Sequence, residues 1–348
     1  MKSQLMILHF VLFCALSGCA KQDNTPNTTP TTPSTSVIDT SFAKGADISW
    51  VTEQEASGVK FYNQDGTQAD ILTVLKNKGI NAIRLRVWVN PSPSWNAAAD
   101  VVAKAKRVKA AGMRLLIDFH YSDTWADPAN QTKPVAWKPL DFPNLKAALY
   151  SHTVDVMTQL KTANCSPEWV QIGNETNDGM LWPDGKASTN MANFASLISA
   201  GYDAVKSVSA TSQVIVHISN GYDASLFKWM FMGLTSNNAK FDIIGMSLYP
   251  TASDWSTKNQ QTLTNMTSLI ATFNKKVMVV EVGMPANDAV NCKSFLSDII
   301  TKTKGVAKGK GLGVFYWEPQ SYKSWKGYGL GAFEDTGKPS VAMDAFLN

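Results

Sequence analysis

The sequence predicts an α/β protein, a (β/α)8 TIM barrel carrying a single catalytic domain. Three observations predict it. From Phe42 onward, short apolar runs of strand length alternate with stretches of helical periodicity, and the alternation repeats eight times. Glycines such as Gly79 and Gly112 sit between a helix and the next strand, where a left-handed cap is wanted. The loops that follow the strands are the longer ones, and they carry most of the Trp, Asp and Asn. A doubly wound open sheet shares the alternation, but no glycine-rich phosphate fingerprint follows the first strand.

The chain opens with a segment that is excluded from the fold. Lys2 gives a positive start, Leu5 to Leu16 is a short apolar run, and Leu16-Ser17-Gly18-Cys19 follows. This resembles the lipobox of bacterial lipoproteins, with cleavage before Cys19 and lipidation of its thiol. The expected divisions are a lipoprotein signal peptide over 1–18, a lipidated Cys19 and disordered Thr/Pro/Ser-rich tether over 19–41, and the barrel over 42–348. Asp23 to Ser41 has too little apolar content to order itself. The expected location is the cell envelope of a bacterium, anchored to the outer membrane.

The eight units run in order. Strand Phe42–Ser49 precedes helix Gln68–Lys78, and Asn81–Trp88 precedes Ala97–Ala111. Met113–His120 is followed by a long polar loop and then helix Asn144–Ala163. Glu168–Glu175 precedes Asn190–Val208, Gln213–Ser219 precedes Ala224–Leu234, and Asp242–Leu248 precedes Gln260–Phe273. Lys276–Val282 precedes Ala289–Thr303. Gly311–Glu318 precedes a short last helix near Ser340–Leu347.

The formal net charge of +4 is small and spread along the chain, which argues against a nucleic-acid partner. Beyond the leader the cysteines reduce to Cys165 and Cys292, placed at opposite ends of a barrel and expected as free thiols. No Cys/His cluster has metal-ligand spacing.

Within a strand, alternate residues face opposite sides. Ile83, Leu85 and Val87 form an apolar face suited to the helical shell, while Arg84, Arg86 and Trp88 share the other face. Asp118 and His120 repeat the pattern in the third strand. Charges aimed into a barrel are costly unless paired. Near the mouth they pair with one another and with substrate; the plain structural alternative is a buried Arg–Asp network at the barrel top.

Parallel barrel strands converge at their C-terminal ends. Asn174-Glu175 closes the fourth strand and Glu281 the seventh. Two carboxyl groups at one mouth are the minimal equipment for cleaving a glycosidic bond. Asn174 suits the sugar 2-hydroxyl, Arg86 is positioned to keep Glu281 ionised, and His120 and His217 are placed to tune the site. Trp88, Trp125, Tyr249 and Trp317 follow or close strands, where a flat sugar ring needs an aromatic platform.

The motifs Gly45-Ala-Asp-Ile-Ser49, Arg84-Leu-Arg-Val-Trp-Val-Asn-Pro91, Asp118-Phe-His-Tyr-Ser-Asp-Thr-Trp-Ala-Asp-Pro128, Gly173-Asn-Glu175, Ser247-Leu-Tyr-Pro250 and Trp317-Glu-Pro319 span nearly all of the region from Phe42. Together they resemble glycoside hydrolase family 53, the endo-β-1,4-galactanases. The resemblance implies a clan A barrel and a retaining mechanism, with Glu175 as acid/base and Glu281 as nucleophile. It implies β-1,4-galactan, the side chain of pectic arabinogalactan, as substrate. It also draws Asp47, Asp123 and Glu318 into the substrate site, beside Arg86, Trp88, Asp118, His120, Trp125, Asn174, His217, Tyr249 and Trp317. Bacterial relatives often hold calcium in the loop after the seventh strand. The short Met284–Asn291 loop lacks spaced acidic ligands, so no calcium or other cofactor is expected. A monomer is expected. The alternatives are a clan A endo-glycanase acting on mannan or xylan, or a non-catalytic surface glycan-binding lipoprotein.

Overall fold

Each strand pairs in parallel with the next and the eighth pairs with the first, closing a barrel in the order β1 to β8. This computed structural model describes residues 41–347. The proposed signal peptide, Cys19 and nearly all of the proposed tether lie outside the described residues. The strands are β1 (Ala43–Asp47), β2 (Ala82–Val87), β3 (Arg114–Phe119), β4 (Trp169–Ile172), β5 (Gln213–Ile218), β6 (Ile243–Leu248), β7 (Lys276–Val282) and β8 (Gly311–Trp317). The helices are α1 (Val51–Ala56), α2 (Ile71–Asn77), α3 (Ala98–Ala110), α4 (Phe142–Thr162), α5 (Ala187–Val208), α6 (Ala224–Ser236), α7 (Trp255–Phe273) and α8 (Ala289–Gly305).

The two strand faces part as their alternation predicts. Ile83, Leu85 and Val87 join the large apolar layer beneath the helices. The opposite parity fills the barrel itself. At its N-terminal half Ala82, Leu116, Trp169, Ile215, Met278 and Phe315 form a separate apolar plug. One pleat further along, the inward positions turn polar: Arg84, Asp118, Gln171 and His217 are all buried. The barrel is thus an apolar base carrying a polar upper layer, and the mouth opens above that layer.

Local signals fix the shell. Asp70 and Asp223 cap α2 and α6 by accepting hydrogen bonds from Leu72 N and from Ser225 and Leu226 N. Asp141 does the same for α4 through Asn144 N. Along α5, Phe194, Leu197, Ile198, Gly201 and Val205 are buried, a spacing that lays one helical stripe against the sheet.

Two expectations are corrected. The fourth strand stops at Ile172 rather than continuing through Glu175, because Gly173 (φ 81°) and Glu175 (φ 43°) turn the chain into the left-handed region. Glu318 (φ 48°) ends β8 at Trp317 in the same way. The expected short last helix is a 3-10 helix over Val341–Leu347. The short helix α1 has no counterpart in the sequence reading; with six residues it shows too little periodicity to register.

Candidate active site

The mouth of the barrel holds a cleft of about 700 Å³. Glu175 and Glu281 both line it, with Trp88, His120, Asp123, Trp125, Asn174, Tyr249 and Trp317. The remaining residues expected at the substrate, Asp47, Arg86, Asp118, His217 and Glu318, do not reach its wall. Each is at most 1% exposed and lies beneath it. They underlie the residues that line the cleft.

The supports are organised around Arg84. Its guanidinium bonds Asp47 at 2.7 Å, Asp118 at 2.9 Å and Glu281 at 2.7 Å. It also donates to Gln171 Oε1 at 3.1 Å and Asn174 Oδ1 at 3.0 Å. Burial works against the charged guanidinium, but Asp118, Glu281 and Asp47 together outweigh it and raise its pKa. The buried Arg–Asp network is therefore present, and one of its carboxylates belongs to the cleft.

Arg86 was expected to hold Glu281 ionised; Arg84 occupies that place. Arg86 stands one pleat nearer the mouth and pairs instead with Glu318 at 2.8 Å. Its guanidinium lies 4.4 Å from the Trp125 ring centroid and within 5.3 Å of those of Trp50 and Trp88. Around it Trp50, Trp125 and Trp317 meet edge to face, and Tyr328 lies 4.7 Å from Trp317. This aromatic wall is packed on a buried cation, which fixes ring orientations before any ligand arrives.

His120 completes the same wall. Its Nδ1 accepts from Trp88 Nε1 and from the Ala126 amide, both at 3.2 Å, so the proton sits on Nε2, which faces Asp118 at 2.9 Å. His217 is buried beneath Glu175, whose amide donates to its Nδ1 at 3.3 Å. Burial, then the nearby Arg84, push its pKa well down, so it stays neutral.

The two glutamates differ in their partners. Glu281 accepts from Arg84 and, at 2.9 Å, from the Tyr249 hydroxyl. Burial holds that hydroxyl protonated. Glu175 accepts a short hydrogen bond from the Ser247 hydroxyl, and Ser247 is the register partner of Glu281 across β6 and β7. This links the two carboxyls through adjacent strands. Burial raises both, Glu281 to about 8 against the pull of Arg84, and a charge on Glu175 adds to the rise of Glu281. Such a pair resists double ionisation. Of the two, only Glu281 touches a guanidinium, which favours its charge over that of Glu175.

Asn174 is nearly saturated by protein: Oδ1 accepts from Arg84 and Gln171, and Nδ2 donates to the Ala126 carbonyl at 2.8 Å. Sequence reasoning missed Arg84, Ser247 and Trp50 as site residues. The signal for the first two was inward parity on strands already assigned. Trp50 carried none, since it lies beyond the end of β1. Cys165 and Cys292 are both buried free thiols. Among the described residues no three His, Cys, Asp or Glu are grouped to hold a metal ion.

The sequence model of Glycosyl hydrolase family 53 matches residues 43–293. An arabinogalactan endo-β-1,4-galactanase of Thermothelomyces thermophilus is 37% identical over 299 residues, covering 79% of this chain and 89% of the relative. That of Aspergillus niger is 36% identical over 301 residues, covering 79% and 84%. Among solved structures, a fungal β-1,4-galactanase superposes with a TM-score of 0.82 at 31% identity, covering 88% of this chain and all of the other. The family 53 catalytic domain of Ignisphaera aggregans gives 0.79 at 30% identity, covering 88% and 95%.

Proposed function

The chain belongs to glycosyl hydrolase family 53, and from that premise we propose that it is a retaining endo-hydrolase of β-1,4-galactosidic linkages in galactan and the galactan side chains of pectin. The observation that carries the reading is the asymmetry of the carboxyl pair: one held by a guanidinium and a phenol, the other by a serine hydroxyl alone. A double displacement needs that asymmetry. Glu281, ionised against Arg84, attacks the anomeric carbon while Glu175 gives its proton to the departing glycosidic oxygen. The C1–O bond breaks and an ester to Glu281 forms. Glu175, now a carboxylate, takes a proton from water as that water attacks C1. The ester breaks, and Glu281 is released as carboxylate with Glu175 again protonated. Tyr249 donates to the nucleophile throughout, and the tryptophan wall supplies the face on which a pyranose ring stacks. The proposed enzyme acts as a monomer and without a cofactor.

We also propose that Cys19 is lipidated and that the enzyme is a bacterial cell-envelope lipoprotein, on the residues around Cys19 alone.

Incubation with β-1,4-galactan, and in parallel with xylan and mannan, followed by product sizing, tests the assignment. Galactan yields a ladder of oligosaccharides and the other two yield none. Release from xylan or mannan at a comparable rate, or monosaccharide alone from galactan, overturns it.

A further inference from the structure

Glu175 is held in a backbone conformation that it does not choose by itself. Its φ of 43° lies in the left-handed region, which a non-glycine residue keeps only when its surroundings over-determine it. Three neighbours fix its main chain. Its amide donates to His217 Nδ1, its carbonyl accepts from the Asn177 amide at 2.8 Å, and the third hold comes from a different loop.

That third hold is Gln131, on the segment between β3 and α4 and only 2% exposed. Its side-chain nitrogen donates to the Asn174 carbonyl at 2.8 Å and reaches the Glu175 carbonyl at 3.5 Å. It also donates to the Asp127 carbonyl at 3.0 Å. Its backbone carbonyl accepts from the Trp182 amide at 2.8 Å, which ties the loops after β3 and β4 together. Gln131 lines no part of the cleft. It makes no bond to Glu281, Arg84 or Tyr249, so the nucleophile is fixed independently.

We propose that Gln131 is a positioning residue for the acid/base. By pinning the two peptide carbonyls at Asn174 and Glu175, it sets where the Glu175 carboxyl meets the leaving oxygen. This rests on the retaining mechanism proposed above. Proton transfer needs heavy atoms about 2.6–3.2 Å apart, and a displacement of about 1 Å costs on the order of a hundredfold. A drift of the Asn174–Glu175 backbone therefore weakens proton transfer and spares attack by Glu281.

The test uses the near-isosteric Gln131→Met on two substrates. On galactan, where the leaving oxygen must be protonated, kcat falls about 30-fold with KM within about twofold. On 2,4-dinitrophenyl β-galactobioside the leaving phenolate needs no proton, and kcat/KM stays within about threefold of the unaltered enzyme. Added azide, which displaces Glu281 from C1 without base assistance, raises kcat on the activated substrate and gives the galactobiosyl azide. An equal or larger loss on the activated substrate, or no loss on galactan, overturns the proposal. Gln131→Asn, which keeps the amide but withdraws it by one methylene, carries the same test should Gln131→Met not fold. An unaltered enzyme inert to galactan would strike the proposed function instead, before any variant is compared.

Discussion

Glu281 shows how a single residue can be costly to the fold and necessary to the chemistry. It is 5% exposed, and burial, opposed by Arg84 and aggravated by a charge on Glu175, raises its pKa to about 8, a value that belongs to the pair the two carboxyls form: the second of them ionises only there. A carboxyl whose folded pKa is raised above its unfolded value of about 4.3 favours the folded state at low pH. That stability is lost as pH rises from the unfolded value through the folded one. Glu281→Gln removes one of the two charges that the buried pair must hold at high pH, and leaves Arg84 paired with Asp47 and Asp118. The variant is expected to lose galactan hydrolysis by at least about a thousandfold. It is also expected to be more stable than the parent, by on the order of 2 kcal/mol at pH 8 and by little at pH 5. Thermal melts of both proteins at the two pH values check this. A variant less stable than its parent at pH 8 would show that the Arg84–Glu281 contact outweighs the burial of the charge.

At the scale of elements, the helix and strand that flank the acid/base are in close register. Gly201 of α5 faces Ile172, the last residue of β4, and a Cβ at that position would lie 2.7 Å from Ile172 Cγ2. Alanine in mid-helix gains about 1 kcal/mol of propensity over glycine. Overpacking a dense core costs about 1–3 kcal/mol, and Ile172 is fully buried with no room to retreat. The clash wins. Gly201→Ala is expected to be destabilised by about 1–2 kcal/mol and to lose kcat, because the strand end it displaces leads within three residues to Glu175. Denaturant unfolding and steady-state kinetics measure the two effects; a stabilised, fully active variant would mean the helix shifts freely over β4. The same element shows what was legible in sequence. All eight strands stand out as apolar runs, and the parity of β2 and β3 separates the core face from the polar face. The end of β4 does not, since the turn at Gly173 depends on backbone angles that Gly-Asn-Glu does not announce. Nor does the choice of Arg84 over Arg86 for Glu281. Both share one parity, and which meets β7 depends on the tilt of strands around the closed barrel.

At the scale of the whole molecule, the remaining question is what would hold this enzyme at a membrane. No helix among the described residues is long and apolar enough to cross one. The net charge of +4 is spread along the sequence, too thin for a polybasic patch. Proposed anchoring therefore falls on Cys19 and on the acyl chains attached there, of which one alone gives only marginal binding. Membrane fractionation of Cys19→Ser is a poor discriminator, because a leader left uncut keeps the apolar run Leu5 to Leu16, which itself favours lipid. The attached lipid is the direct readout. Cells expressing the full chain and fed an alkyne-tagged fatty acid are expected to label the parent and leave Cys19→Ser unlabelled. Galactan hydrolysis per molecule is expected to agree within about twofold between the two, since Cys19 has no part in the proposed chemistry. Label on Cys19→Ser would move the modification elsewhere, and an unlabelled parent would leave Leu16-Ser17-Gly18-Cys19 as an ordinary secretory leader that happens to contain a cysteine.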